Sequence, residues 1–101
     1  MPRQAADASS DFRIFETEEF AKKLKKLPVR TSSFLRHKLC DYVYPQLRAD
    51  PFFGHNIKKL KGYEPATWRY RIGKFRVFFA VDHTERIVSI LSVDDRRDAY
   101  G

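Results

Sequence analysis

The sequence predicts an α+β fold in which a short N-terminal strand and two helices precede an antiparallel three-stranded meander. Three observations predict it: apolar residues recur at helical spacing between residues 18 and 47, they alternate with arginines over 68–81, and a β-branched run follows at 86–93. Helices and sheet need a common core, so we expect the helices to pack on one sheet face. We expect a flexible tail over residues 1–10 and a single domain over residues 11–101.

Charge and composition narrow the classes of function. Twenty Lys and Arg against thirteen Asp and Glu give a formal net charge of +7, so the protein should attract nucleic acid or an acidic protein. No apolar run approaches the ~18 residues of a membrane helix, and the single Cys40 suits a reducing compartment. These observations predict a cytoplasmic protein without membrane contact. We also expect no small-molecule ligand, cofactor or metal ion.

The first strand and the first helix are predicted from residues 12–28. A short apolar run over residues 12–16 favours a strand. Thr17 is a suitable helix N-cap, and the glutamates that follow it suit the positive end of the helix dipole. The buried stripe of this helix consists of three residues at helical spacing: Phe20, Leu24 and Leu27. Pro28 then ends the helix.

A second helix is predicted to begin at Thr31 or Ser32. Its buried face is carried by five apolar residues: Leu35, Leu39, Tyr42, Val43 and Leu47. Pro45 interrupts this pattern, because proline removes a helical hydrogen bond. We expect a kink there rather than a turn and a restart.

Residues 68–81 predict a tight β-hairpin. Gly73 suits the first central position of a two-residue type II′ turn. That turn fixes a register of four opposed pairs: Ile72 with Phe75, Arg71 with Arg76, Tyr70 with Val77, and Arg69 with Phe78. Opposed residues share a sheet face. The register therefore predicts one apolar face, and it gathers Arg69, Arg71 and Arg76 on the other.

The gathered arginines are candidates for binding a phosphodiester. Like charges placed opposite each other cost about 0.2–1 kcal/mol, and an anion between Arg71 and Arg76 would remove that cost. Guanidinium groups match the geometry of phosphate oxygens. Alternatively, this is a solvated basic face relieved by carboxylates of the same chain. The nearby Lys58, Lys59 and Lys61 either extend the arginine surface along a nucleic-acid backbone or serve solubility alone.

Three segments, taken in this order, resemble the RelE/ParE superfamily of toxins from toxin–antitoxin modules, more closely its RelE branch. They are residues 57–62 (IKKLKG), residues 68–77 (WRYRIGKFRV) and residues 89–100, which end in Arg-Arg-Asp-Ala-Tyr. The resemblance covers residues 12–100 and implies the RelE-like fold.

The resemblance implies a small basic toxin, neutralised by a cognate antitoxin, that cuts messenger RNA on the ribosome. In that branch the reaction uses no metal: the ribose 2′-hydroxyl attacks the adjacent phosphate and the 5′-oxygen leaves. Transferred by position, the implied catalytic residues are Arg69, Arg71, Arg76, Arg96 and Tyr100, with Arg97 as the alternative to Arg96. We also expect five further cations to bind RNA: Lys58, Lys59, Lys61, Lys74 and Arg97.

Two departures from the family pattern leave other functions open. Relatives carry lysines at the positions of Arg69 and Arg71, whereas arginine stays protonated and is a poor proton acceptor. Relatives also carry Gly-His where this chain has Asp94 and Asp95, and Asp95 is here either a substitute base or a partner for an arginine. The alternatives are a ParE-like inhibitor of DNA gyrase without nuclease activity and a catalytically inactive toxin-fold binding domain.

Overall fold

The computed structural model describes residues 11–95 and contains one five-stranded sheet with helices on one face. Strand β1 spans Arg13–Glu16 and helix α1 spans Glu18–Lys26. A second helical stretch contains α2 (Val29–Lys38), a π-helical segment (Leu39–Val43) and α3 (Tyr44–Ala49). The remaining strands are β2 (Ile57–Lys59), β3 (Trp68–Ile72), β4 (Phe75–Asp82) and β5 (Ile87–Asp95). The predicted tail over residues 1–10 lies outside the described residues.

The sheet is mixed, with the strand order β1-β5-β4-β3-β2. Strands β2 to β5 form antiparallel neighbours, and β1 pairs with β5 in parallel. The predicted meander is therefore present, and β1 and β2 extend it by one strand at each edge. The parallel pair joins residues that are more than 70 positions apart in the chain, which no local pattern in the sequence reveals.

The hairpin between β3 and β4 has the predicted register. Arg71 lies opposite Arg76, and Arg69 lies opposite Phe78. Gly73 has a φ of +58°, and Arg86 is the one residue other than glycine with positive φ among residues 11–95. Positive φ at the first central position alone is the requirement of a type II′ turn. The local sequence of the turn therefore determines which side chains share each face.

The core lies between the helices and the sheet face that carries Tyr70, Val77 and Phe79. We call this the helix face. The predicted helix residues Phe20, Leu24, Leu35, Leu39, Val43 and Leu47 are all buried here. Tyr42 was predicted to join them and does not, because 62% of it is exposed while Tyr44 is buried instead. The second helix also begins at Val29, two or three residues before the predicted Thr31 or Ser32, with Pro28 at its N-cap.

The π-helical segment explains how the second helix accommodates Pro45 without a break. The Tyr44 amide donates to the Leu39 carbonyl, five residues back, and this wider turn ends directly before the proline. The buried residues in this stretch repeat at every fourth position, which drifts around a helix of 3.6 residues per turn. The wider turn offsets that drift. The helical path is therefore continuous from Val29 to Ala49, and the chain does not form a turn and restart at Pro45.

Glu16 ties the end of β1 to the second helix. Its Oε2 accepts hydrogen bonds from Arg36 Nη1 at 2.6 Å and from the Tyr44 hydroxyl at 2.5 Å. Desolvation raises the pKa of Glu16, but the hydrogen bonds from Arg36 and Tyr44 outweigh it and hold the pKa below its usual value. Burial and the bond to Glu16 raise the pKa of Tyr44 well above its usual value. The cluster therefore contains an ionised carboxylate over the physiological pH range.

We expect Glu16→Gln to lower the free energy of unfolding by about 1–2 kcal/mol at neutral pH, because charge-assisted hydrogen bonds are lost from a partly exposed site. The folded-state pKa of Glu16 is lowered, so its stabilisation is complete above the unfolded-state pKa and disappears as pH falls through the folded-state value. Urea unfolding at pH 7 and pH 3 measures this. Glu19→Gln, an exposed carboxylate on α1, is the matched control, and an equal Glu16→Gln effect at both pH values would contradict the assignment.

Candidate nucleic-acid interface

The sheet face opposite the helices carries the three arginines predicted from the hairpin. Cross-strand register places Arg71 opposite Arg76, and Arg69 between Lys58 on β2 and Phe78 on β4. We call this the arginine face. The four cations occupy neighbouring positions on three adjacent strands, so their positive potential adds over one surface.

Each guanidinium of the arginine face has a different environment. Arg71 is exposed. Arg69 donates from Nη1 to the Asn56 carbonyl oxygen at 3.0 Å, which directs it along the β2 edge. Arg76 is 22% exposed, and its Nε lies 3.4 Å from Asp94 Oδ1. The alternative of relief by a carboxylate of the same chain therefore applies to Arg76, whose guanidinium forms an ion pair with Asp94.

A β-bulge decides which of the two adjacent aspartates joins the arginine face. Phe78 lies opposite Ser92 and Phe79 lies opposite Ile90, so Leu91 is an extra residue in β5. Without it, strict alternation would place Asp95 on the arginine face. With it, Asp94 lies opposite Arg76, whereas Asp95 lies opposite Phe75 of the helix face.

Thr17 holds this bulge in place. The Thr17 hydroxyl lies 2.9 Å from the Ile90 carbonyl oxygen and 3.2 Å from that of Leu91, and its amide donates to the Ile90 oxygen at 3.1 Å. The same hydroxyl accepts from the Phe20 amide and so caps α1. One threonine therefore couples the start of the first helix to the register of the arginine face.

The predicted RNA-binding lysines separate onto different surfaces. Lys58 lies on the arginine face. Lys59 and Lys74 do not, since the Lys59 ammonium lies 5.5 Å from the Trp68 ring centroid and Lys74 pairs with Asp95 at 3.5 Å. Lys61 is exposed in the turn after β2. Three further candidates, Arg96, Arg97 and Tyr100, lie outside the described residues.

A groove of about 370 Å³ opens beside Arg76 on the arginine face. Its other lining residues are Leu60, Tyr63, Thr67, Phe78, Leu91, Ser92 and Asp94. The sequence pattern predicts no role for Phe78, although strand alternation already places it beside Arg69. The pattern also does not predict the position of Lys23, whose ammonium donates to Ser92 Oγ at 2.8 Å. That contact depends on the packing of α1 against β5, which local patterns do not encode.

The chemistry available on the arginine face is anion binding and charge stabilisation. Guanidinium groups donate hydrogen bonds and do not accept protons near neutral pH. Within residues 11–95, no three His, Cys, Asp or Glu side chains lie close enough together to hold a metal ion. None of the helices in that same range is long and apolar enough to cross a membrane.

A comparison with protein families finds one match. The family described as the ParE toxin of the type II toxin–antitoxin system parDE matches residues 14–100. No curated protein matches the sequence.

Solved structures with the same fold come from bacteria and archaea. The toxin–antitoxin complex RelBE2 from Mycobacterium tuberculosis is 26% identical with a TM-score of 0.65, covering 85% of this chain and 99% of that chain. The RelE–RelB complex from Pyrococcus horikoshii is 24% identical with a TM-score of 0.62, covering 84% and 94%. The YoeB/ParE toxin from Agrobacterium tumefaciens is 18% identical with a TM-score of 0.66, covering 83% and 98%. The predicted α+β fold of the RelE type is confirmed by these similarities.

Proposed function

The chain belongs to the ParE toxin family of type II toxin–antitoxin systems, and from that premise we propose that this toxin is an endoribonuclease that cuts ribosome-bound messenger RNA in the cytoplasm. The RelE relatives among the solved structures support this choice within the superfamily. The proposal depends mainly on one observation: three arginines from two adjoining strands lie together on the arginine face.

The proposed reaction is an internal transesterification at one phosphodiester. The ribose 2′-oxygen forms a bond to the adjacent phosphorus, the bond from phosphorus to the 5′-oxygen breaks, and the products are a 2′,3′-cyclic phosphate and a 5′-hydroxyl. Water takes the proton of the 2′-hydroxyl and supplies one to the 5′-oxygen. The arginines remain protonated throughout, and their contribution is electrostatic.

Arg76 is the residue we place closest to the reacting phosphate. Its Nε lies 3.4 Å from Asp94 Oδ1, and a donor that a neighbouring charge orients before the reaction stabilises developing charge with little reorganisation. Arg69 and Arg71 hold the neighbouring phosphates, and Lys58 extends the same surface at the β2 edge. Arg96 and Tyr100 complete the proposed site, and Arg96 follows directly after the last residue of β5.

A cognate antitoxin is the proposed protein partner. An acidic, partly disordered chain would complement the net charge of +7. A groove of about 610 Å³ between the second helix and β3 offers such a chain apolar contacts, because Phe34 is 46% and Tyr42 is 62% exposed along it. Lys38 lies within 6 Å of both ring centroids, and Arg71 lines the opposite side, which favours carboxylates in the partner.

Inhibition of DNA gyrase is the second candidate function. It is favoured by three features of the described residues: arginines replace the lysines of the RelE branch, Asp94 is paired with Arg76, and Asp95 lies on the helix face paired with Lys74. An inhibitor needs only the basic surface and no proton transfer.

Brief expression without antitoxin distinguishes the two functions in one culture. We expect messenger RNA fragments to appear within minutes while plasmid supercoiling stays unchanged, because the proposed target is RNA. Northern analysis and gel separation of plasmid topoisomers measure both quantities. Intact transcripts accompanied by relaxed plasmid would contradict RNA cleavage and favour gyrase inhibition.

A further inference from the structure

We propose that the groove beside Arg76 is a base-binding subsite, in which Phe78 stacks on an unpaired nucleobase of the RNA. This inference rests on the proposed function and adds to it the part of the substrate next to the reacting phosphate. It begins from an aromatic side chain that the core does not use.

Phe78 occupies a position where the fold itself has no need of an aromatic ring. It lies on the arginine face between Arg69 of β3 and Ser92 of β5. The buried core on the other side of the sheet includes its neighbours Val77 and Phe79 but not Phe78. Its side chain is half-buried on the central strand, and no helix of residues 11–95 packs on this sheet face.

The groove around Phe78 has the chemistry of a nucleobase site. Apolar walls are supplied by Leu60 and Tyr63, from the segment after β2, and by Leu91, from the β5 bulge. Tyr63 is 55% exposed, so its ring is accessible to a ligand. A base has two apolar faces and a polar edge, and aromatic side chains bind those faces by stacking.

The polar lining of the groove matches the edge of a base. Ser92 and Asp94 belong to that lining. The Asp94 side chain is 36% exposed. A carboxylate can accept a hydrogen bond from an N–H group of a base.

The positions of Arg76 and Phe78 suit a nucleotide. The guanidinium carbon of Arg76 lies over the Phe78 ring, 5.3 Å from its centroid, so a base would stack on the part of the ring that Arg76 leaves open. In RNA a phosphate and a base are joined through one ribose, so a phosphate bound at Arg76 brings an adjacent base to Phe78. Stacking at Phe78 would orient the ribose whose 2′-hydroxyl reacts. An in-line attack requires this orientation, because the 2′-oxygen must approach phosphorus opposite the bond that breaks.

The alternative is that Phe78 has a purely structural role and only packs against the turn after β2. Two substitutions separate the roles. Phe78→Leu keeps an apolar side chain against Leu60 and Tyr63 but cannot stack, whereas Phe78→Tyr keeps the ring. Thermal unfolding of both variants checks that the fold is retained.

The test measures dissociation constants of the toxin for ribosomes programmed with a short messenger RNA. A 2′-deoxy nucleotide at the cleavage site prevents cutting, and a second set of messages carries one abasic nucleotide at each position of the codon in turn. We expect Phe78→Leu to weaken binding of the intact message about 5- to 100-fold and Phe78→Tyr to bind like the wild type. One abasic position should weaken wild-type binding by a similar factor and leave Phe78→Leu unaffected.

If Phe78→Leu binds the intact message as tightly as the wild type does, the subsite is overturned. It is also overturned if each abasic position weakens binding equally in the wild type and in Phe78→Leu. Arg76→Ala in the same assay separates this failure from a failure of the proposed function. Loss of binding in Arg76→Ala with no change in Phe78→Leu removes only the subsite. No binding of message by the wild type removes both, and so does an Arg76→Ala variant that binds this message and cuts the all-ribose message like the wild type.

Discussion

Arg76→Ala is expected to reduce single-turnover cleavage of ribosome-bound messenger RNA about 10²- to 10³-fold. Removal of one preorganised donor from a site of developing negative charge has effects of that size. Arg76 is the arginine-face cation that a carboxylate of β5 holds in place, at 3.4 Å from Asp94. Quenched-flow mixing of the purified toxin with programmed ribosomes measures the rate.

Two controls define the origin of this effect. Arg76→Lys keeps the charge but not the planar fork of donors, so we expect it to retain part of the lost rate. Arg30→Ala removes an exposed arginine of α2 on the opposite side of the molecule and should cleave like the wild type. Equal losses in Arg76→Ala and Arg30→Ala would assign the effect to net charge and remove Arg76 from the site.

Phe79→Ala is expected to lower the free energy of unfolding by about 3–5 kcal/mol, the usual cost of truncating a fully buried aromatic residue. Phe79 has no exposed surface, and its ring stacks on Trp68 at 6.1 Å between centroids. A domain of this size has a total stability of about 5–15 kcal/mol. The variant should therefore melt more than about 10 °C below the wild type, as differential scanning calorimetry would detect.

Two other phenylalanines, Phe53 and Phe78, supply the controls for Phe79. Phe53 is 77% exposed, so Phe53→Ala should change stability by less than about 0.5 kcal/mol. Phe78→Leu should melt close to the wild type while it loses affinity for RNA, since Phe78 and Phe79 lie on opposite faces of β4. If Phe78→Leu melts as low as Phe79→Ala, the division of β4 into a core face and a binding face is wrong.

The part of the site built from β3 and β4 was predictable because its determinants are local. Alternation sorts the side chains, and a two-residue turn at Gly73 fixes the register without help from the rest of the chain. Arg69, Arg71 and Arg76 could therefore be placed on one face from the sequence. The packing of the helices on the other face was predictable for the same reason, since their apolar stripes are local patterns.

The rest depends on contacts between distant parts of the chain. The bulge at Leu91 exchanges the faces of Asp94 and Asp95, and Thr17 holds it from more than 70 residues away. The π-helical segment rotates Tyr42 into solvent and Tyr44 into the core. Strand alternation places Lys59 on the helix face, over the Trp68 ring, whereas Lys74 of the turn contacts the Phe75 ring and Asp95. In each case one inserted residue or one tertiary contact decides which way a side chain points.

The central claim is that the arginine face cuts RNA, and sequencing of RNA ends after brief expression of the toxin tests it most directly. The account predicts new 5′-hydroxyl ends within coding sequences in cells that express the wild type, and their loss in cells with equal amounts of Arg76→Ala. Growth arrest by the wild type with intact transcripts, or the same new ends in both cultures, would contradict it.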